Sequence, residues 1–446
     1  MSCSADIDHA TATDALLARI DPARVLVGGP EFARAAAVWN GAVTNRPAVI
    51  VRCASTEDVS HAVRVAHENG LPLSVRGGGH DWAGRAIRSC GLVVDLTLMR
   101  GVAVDGRVAT VAGGATSDDV AAAADRHGLA AATGTVGSVG MMGLTLGGGY
   151  GPLSGRFGLA ADNLLAAEVV LADGRVARAD AELLWALRGG GGNFGVVTSA
   201  DVALHSLTEI LTGSFTFPWA QAEDVLRGCG KLLDHAPDAL TAVITLASGQ
   251  DGPMVVVSPT WSGLPADGVA ALYEFAALGT ALTTTVTPMS PLEKLRGFDG
   301  AFPDGAGYSI RTRNVAAFTP EVVAALIEAF STKTSPTSFV NIHHFHGAAT
   351  RTPIGSGAFG LRQDHFMVEF IEIGAPGRDP LATAWPRRAR NTLAPHALPG
   401  GYPNLLGPDD GRDASAAYGP HAARLLALKA RLDPDNVFKA TPLPIG

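Results

Sequence analysis

The residue in the most suggestive setting is His80, which closes the segment Arg76-Gly77-Gly78-Gly79-His80. Glycines permit positive φ and let backbone N–H groups approach a bound molecule closely. Successive N–H groups can cradle an anion such as a pyrophosphate. An imidazole at the end of such a loop can be presented to a cofactor, although alone it can equally cap a helix or complete a turn. Two further segments share the character. One contains Ser138, Val139, Gly140 and Gly143; the other contains Gly192, Asn193, Gly195 and Val197. A single glycine run reads as tight turns, whereas three in the first 200 residues point to a cofactor site. No Gly-x-x-x-x-Gly-Lys-Ser/Thr is present, which disfavours a P-loop nucleotidase. The strand–GxGxxG–helix pattern with an acidic residue about 20 positions on is also missing near the start, which disfavours a standard dinucleotide fold.

Two later segments carry titratable groups. In Asn341-Ile342-His343-His344-Phe345-His346, a strand would turn His343 and Phe345 to one face and His344 and His346 to the other. Histidines at i and i+2 can bind metal, line a pocket or serve structure. No neighbouring Cys or Asp/Glu cluster supports metal. In His365–Ile373, strand alternation places Glu369 with His365, Met367 and Ile371. Glu369 is therefore either an edge-strand charge or a carboxylate aimed into a site, where burial would raise its pKa toward general-base use.

Composition bounds what those groups serve. The chain has 446 residues, 54 of them Gly, and only 17% are charged. A net charge of -8 without a basic block gives nucleic acid binding little support. The four cysteines form no CxxC and imply no disulfide scaffold. No basic-then-apolar leader is seen, and no apolar run reaches the roughly 18 residues of a spanning helix. A cytoplasmic location without membrane association is the expectation; oligomeric state is left open.

The elements that must position these groups follow from pattern. Pro47–Cys53 predicts a buried strand, Ser55–Gly70 a capped helix with a glycine stop, and Leu71–Val75 a strand feeding the first glycine loop. Hairpins are predicted at Asp105-Gly106 and Asp173-Gly174, and a helix ends at Gly128. Residues 131–159 hold ten glycines, a density that weakens any helix or central strand. Near residue 207 the composition shifts to strand-like segments rich in Thr, Phe, Trp and Pro, separated by helices, which predicts an antiparallel sheet. The tail, from about 400, predicts a helix closed by Asp433-Pro434.

In their order, these segments resemble the berberine-bridge-enzyme-like branch of the vanillyl-alcohol oxidase superfamily. Residues 55–84, 95–130, 134–164 and 185–198 are similar to its FAD-binding segments. Ala358–Arg362 (AFGLR) is similar to its Ala-Phe-x-x-Arg; Tyr402-Pro403-Asn404 and Leu432–Phe438 (LDPDNVF), which contains Asn436, are similar to its closing signatures. The resemblance implies a two-domain α+β fold. FAD would lie within residues 1–206, joined by 400–446, under an antiparallel-sheet substrate domain at 207–399. Arg76, Gly77, Gly78, Gly79, His80, Ser138, Val139, Gly140, Gly143, Gly192, Asn193, Gly195, Val197 and Asn436 would hold the cofactor.

The same resemblance implies a covalent bond from His80 to the flavin. Many relatives carry a second link through Cys in a Gly-Val-Cys-Pro-Thr-Val-Gly-like segment. Here Val136 stands in that place, so a single tether is expected. Val139 matches a position that governs oxygen access, and valine there resembles the oxidase form. Tyr402 matches the first Tyr of a Tyr-x-Asn-Tyr signature associated with the catalytic base, but Leu405 replaces the last Tyr. The expected reaction is hydride transfer from an alcohol, sugar or secondary metabolite to FAD, with O2 giving H2O2. The catalytic candidates are Tyr402, Glu369 and His343. The alternatives are a dehydrogenase with another electron acceptor and a flavin protein without catalysis.

Overall fold

The computed structural model describes residues 9–377 and 384–444. Three sheets organise them. The first has four strands, in the order Val25–Leu26, Val49–Arg52, Leu92–Asp95 and Leu73–Arg76. The last three run parallel. Leu92–Asp95, between the other two, is wholly buried, which explains its apolar run Leu92-Val93-Val94. Helix Thr56–Glu68 crosses between Val49–Arg52 and Leu73–Arg76. The Ser55 hydroxyl caps it, accepting the Asp58 N–H at 3.2 Å, and Gly70 ends it at φ 63°. Leu73–Arg76 then delivers the chain into Gly77–His80, at the carboxyl end of a parallel strand, where open α/β sheets place their ligands.

The second sheet is antiparallel. Val196–Ser206 lies at its centre, pairing with Val108–Ala112, Leu164–Val170 and Leu129–Ala131. The hairpins at Gly106 and Gly174 form, both glycines having positive φ. The ten-glycine stretch is not all loop. It includes the short helix Met141–Leu146, where Gly143 faces open space rather than neighbouring atoms.

The third sheet has seven strands, in the order Thr283–Met289, Ile210–Pro218, Gly252–Trp261, Leu240–Gly249, Phe339–Phe345, His365–Gly374 and Gly307–Val315. All neighbours are antiparallel. Helices Ala222–Leu233, Pro265–Ala276, Pro320–Ser331 and Ala384–Leu393 cover one face, packing Val225, Leu272, Leu326 and Trp385 onto Ile244, Val257 and Phe370. Alternation turns the intervening residues the other way. Thr245, Asn341 and Glu369 stand side by side across adjacent strands, as do Ser258, Val243, His343 and Met367. Among the described residues, no helix is long and apolar enough to cross a membrane.

Helix Ala422–Leu432 packs on the second sheet, where Leu425 and Leu428 join its core. Within the segment that follows, the buried Asp433 carboxylate accepts the N–H groups of Val437 and Phe438 at 2.8 and 2.9 Å. Lys429 Nζ donates to the Phe438 carbonyl at 2.6 Å and to that of Asn193 at 2.8 Å.

Candidate active site

A cavity of about 380 Å³ lies between the glycine loops and the uncovered face of the seven-stranded sheet. That is within the range of about 300–1,000 Å³ found for small-molecule sites. Gly77, Gly78, Gly79, His80, Val139 and Gly140 line one part of it, and Gly143, Gly192, Gly195 and Val197 another. His343, Glu369 and Tyr402 face them.

The first two glycine loops touch backbone to backbone. A Cβ on Gly78 would lie 2.3 Å from the Gly140 nitrogen, and one on Gly140 would lie 2.5 Å from the Gly78 nitrogen. Only glycine fits at either position. Among the described residues, the amides of Gly78, Gly79, His80, Ser138 and Val139 donate to no protein acceptor. Grouped unpaired N–H groups at a glycine-rimmed cavity fit an anionic, planar cofactor such as FAD.

His80 sits at this junction. Its Nε2 is 2.8 Å from the Ser138 hydroxyl, and its ring stacks on Trp39 at a centroid separation of 4.9 Å. Burial pushes the imidazole pKa down to about 4, opposed by the nearby Asp299 carboxylate. The ring is therefore neutral at ordinary pH, with a lone pair on one nitrogen. Val136 also lines the cavity.

The facing wall is polar at one place. The buried Glu369 carboxylate approaches His343 Nε2 at 3.1 Å with one oxygen. Its other oxygen accepts the Tyr150 hydroxyl in a short hydrogen bond. Burial alone would raise the Glu369 pKa. The adjacent His343 and hydrogen bonds from His343, Tyr150 and Asn341 outweigh it and hold the carboxyl below its ordinary value. The expected rise is thus corrected: Glu369 is an ionised carboxylate. Burial and the Glu369 charge push the Tyr150 hydroxyl well up, keeping it protonated.

Tyr402 is buried and 5.1 Å from Tyr150, ring centroid to centroid. Its hydroxyl accepts the Gly149 N–H at 2.6 Å. Burial pushes its pKa up, and the hydrogen bonds it accepts do not offset that. No cation of the kind a tyrosine base requires lies beside it among the described residues. The geometry therefore does not favour Tyr402 itself as the base.

Four of the sequence candidates do not line the cavity. The Arg76 guanidinium turns away to the Ala35 carbonyl. Ser138 instead hydrogen-bonds to His80 Nε2 at 2.8 Å. Asn193 commits its amide to the tail, donating to Thr441 Oγ1 at 2.9 Å and accepting the Ala440 N–H at 2.8 Å. Asn436 is exposed in the turn after the last helix, at φ 53°; Phe438–Thr441 line the cavity instead. Sequence reasoning passed over Tyr150, whose only signal is an aromatic hydroxyl set among glycines at 147–151. His344 and His346 stack on each other at 3.9 Å, away from Glu369.

Comparison with known proteins agrees with this geometry. Residues 47–180 match the FAD binding domain family. The FAD-linked oxidoreductase aurO of Gibberella zeae is 30% identical over 92% of this chain and 83% of its own length. The (R)-6-hydroxynicotine oxidase of Paenarthrobacter nicotinovorans is 43% identical over 47% of this chain and 46% of its own. The crystal structure of 6-hydroxy-D-nicotine oxidase from Arthrobacter nicotinovorans superposes with a TM-score of 0.84 at 29% identity, covering 93% of this chain and 96% of that one. Enzymes of this kind are FAD-dependent oxidoreductases acting on small organic molecules. The chain belongs to the berberine-bridge-enzyme-like FAD-linked oxidases of the vanillyl-alcohol oxidase superfamily.

Proposed function

We propose that this oxidase removes two electrons from an alcohol-bearing small molecule, a sugar or a secondary metabolite, and passes them to O2. The observation that carries the reading is the Tyr150–Glu369–His343 cluster on the wall facing the glycine loops. FAD, held by the glycine loops, would supply the two-electron acceptor and the reactivity toward O2. The chain manages the proton. Tyr150 is placed to accept the substrate hydroxyl proton while passing its own to Glu369, whose ionised state suits it to receive one. His343 holds the carboxylate in place. Tyr402, tied to Gly149, packs against Tyr150 and shapes the pocket.

The cofactor would be held by the unpaired amides of 78–80 and 138–139 and tethered through His80 alone, the neutral ring being a competent nucleophile. The cofactor-binding unit would comprise residues 1–206 and 400–446, and the substrate domain residues 207–399. Val139, at the cavity wall, supports O2 as acceptor. A panel of alcohols and sugars coupled to H2O2 detection tests the reading. Substrate-dependent H2O2 is expected; flavin that stays reduced in air after substrate addition would instead indicate a dehydrogenase.

A further inference from the structure

A recess of about 30 Å³ adjoins the main cavity and shares Tyr150, His343, Ser258 and Phe298 with it. Thr241 and Thr260, partners across adjacent strands, line it together with Lys294. Lys294 comes from the short helix Pro291–Arg296. That helix is fixed at both ends. Ser290 and Glu293 form a capping box, and Arg296 grips Asp118 at 2.6 and 3.1 Å. Just beyond, Asp299 accepts the Gly137 N–H at 2.8 Å.

The acids nearest in sequence are therefore committed elsewhere. Among the described residues, the Lys294 ammonium has neither a carboxylate nor a hydrogen-bond acceptor; it lies 5.1 Å from the Phe298 ring centroid. Burial pushes its pKa down to about 8, with no opposing charge. A half-buried cation without a counterion bears a desolvation penalty that an anionic ligand would relieve.

We infer that Lys294, with the hydroxyl-bearing Ser258, Thr241 and Thr260, forms a subsite for a carboxylate of the substrate. The inference rests on the oxidase reading above and narrows its substrate to a small organic acid with an oxidisable carbon. The recess has room for a compact oxyanion but not for a ring. Tyr150 and His343 border both spaces, so a carboxylate at Lys294 would orient the rest of the molecule toward Tyr150 and Glu369.

The test uses the flavin-containing protein and the matched probes benzoate and benzamide, titrated by calorimetry near neutral pH. Wild type is expected to bind benzoate at least tenfold more tightly than benzamide. Lys294→Met should abolish that preference while changing benzamide affinity less than twofold, and Lys294→Arg should retain it. Absence of a benzoate preference in wild type, or its survival in Lys294→Met, overturns the inference. Should Lys294→Met fail to fold, wild type and Lys294→Arg decide: loss of preference in either overturns it. Flavin absorbance of the same samples separates the two levels. A colourless protein refutes the flavin reading, whereas a yellow protein without the preference refutes the carboxylate subsite alone.

Discussion

His343 Nε2 lies 3.1 Å from one oxygen of Glu369, and Tyr150 donates its hydroxyl to the other. Both partners of this buried carboxylate favour its charged form. Glu369→Gln keeps the shape but cannot accept a proton. Turnover is expected to fall about 10²- to 10⁴-fold, the usual range for losing a general base, with bound flavin and thermal midpoint little changed. A loss below tenfold would place the base elsewhere. Tyr402→Phe, lacking only a hydroxyl already tied to Gly149, is expected to fall less than Glu369→Gln.

The contact between the Gly78 and Gly140 loops gives a test of cofactor retention. In Gly78→Ala the new Cβ would lie 2.3 Å from the Gly140 nitrogen and 2.7 Å from the Ser138 carbonyl oxygen. These are backbone atoms, so the loops must separate. Stability is expected to drop by about 1–3 kcal/mol, and the purified protein to lose flavin absorbance. Gly106→Ala, in an exposed turn with open space around it, is the control: strained by its φ of 55°, it should lower stability while leaving flavin content intact.

The Arg362 side chain is buried and grips Asp162 with hydrogen bonds of 3.0 and 2.6 Å. The same carboxylate accepts the Leu159 N–H at 2.9 Å. Arg362→Met strands a buried charge and should cost about 3–5 kcal/mol in denaturant unfolding. A change under 1 kcal/mol would mean that water already reaches the pair.

Buried neutral histidines set the acid limit. Burial pushes His365 down to about 4, its bond to the Gln363 carbonyl opposing the shift, and burial likewise depresses His344. Unfolded histidines protonate near pH 6.5. Below that the unfolded chain takes protons the native one refuses, so stability is full above about pH 6.5 and declines toward pH 4. His365 alone contributes on the order of 3 kcal/mol to that decline. Urea unfolding across this window should show it, with a shallower slope in His365→Gln; parallel slopes would contradict the assignment.

What the sequence revealed depended on whether the signal was local. The His80 loop and its companion glycine segments stood out because a crowded backbone leaves a compositional mark. The faces of His343 and Glu369 followed from strand alternation, which the ladder pairing Asn341 with Glu369 bears out. Tyr150 stayed hidden because its partner lies 219 positions away and a glycine-rich stretch has no periodicity to aim a side chain. Thr283–Met289 carries no mark for a related reason: this edge strand is exposed or half-buried throughout, so no alternation shows. Asn193 and Asn436 sat in recognisable motifs, yet a motif does not say whether an amide faces a ligand or the chain's own tail. The charge state of Glu369 was misjudged because burial can be read from pattern, whereas its three hydrogen-bond donors are assembled only on folding.

A flavin held by one covalent bond through His80 is expected to stay with the protein after denaturation. Protein precipitated with acid and resolved on a denaturing gel should retain flavin fluorescence, and a tryptic digest should place the added mass on the peptide containing His80. His80→Ala should lose the fluorescent band. Release of all flavin from wild type on denaturation, or a fluorescent band persisting in His80→Ala, would contradict it.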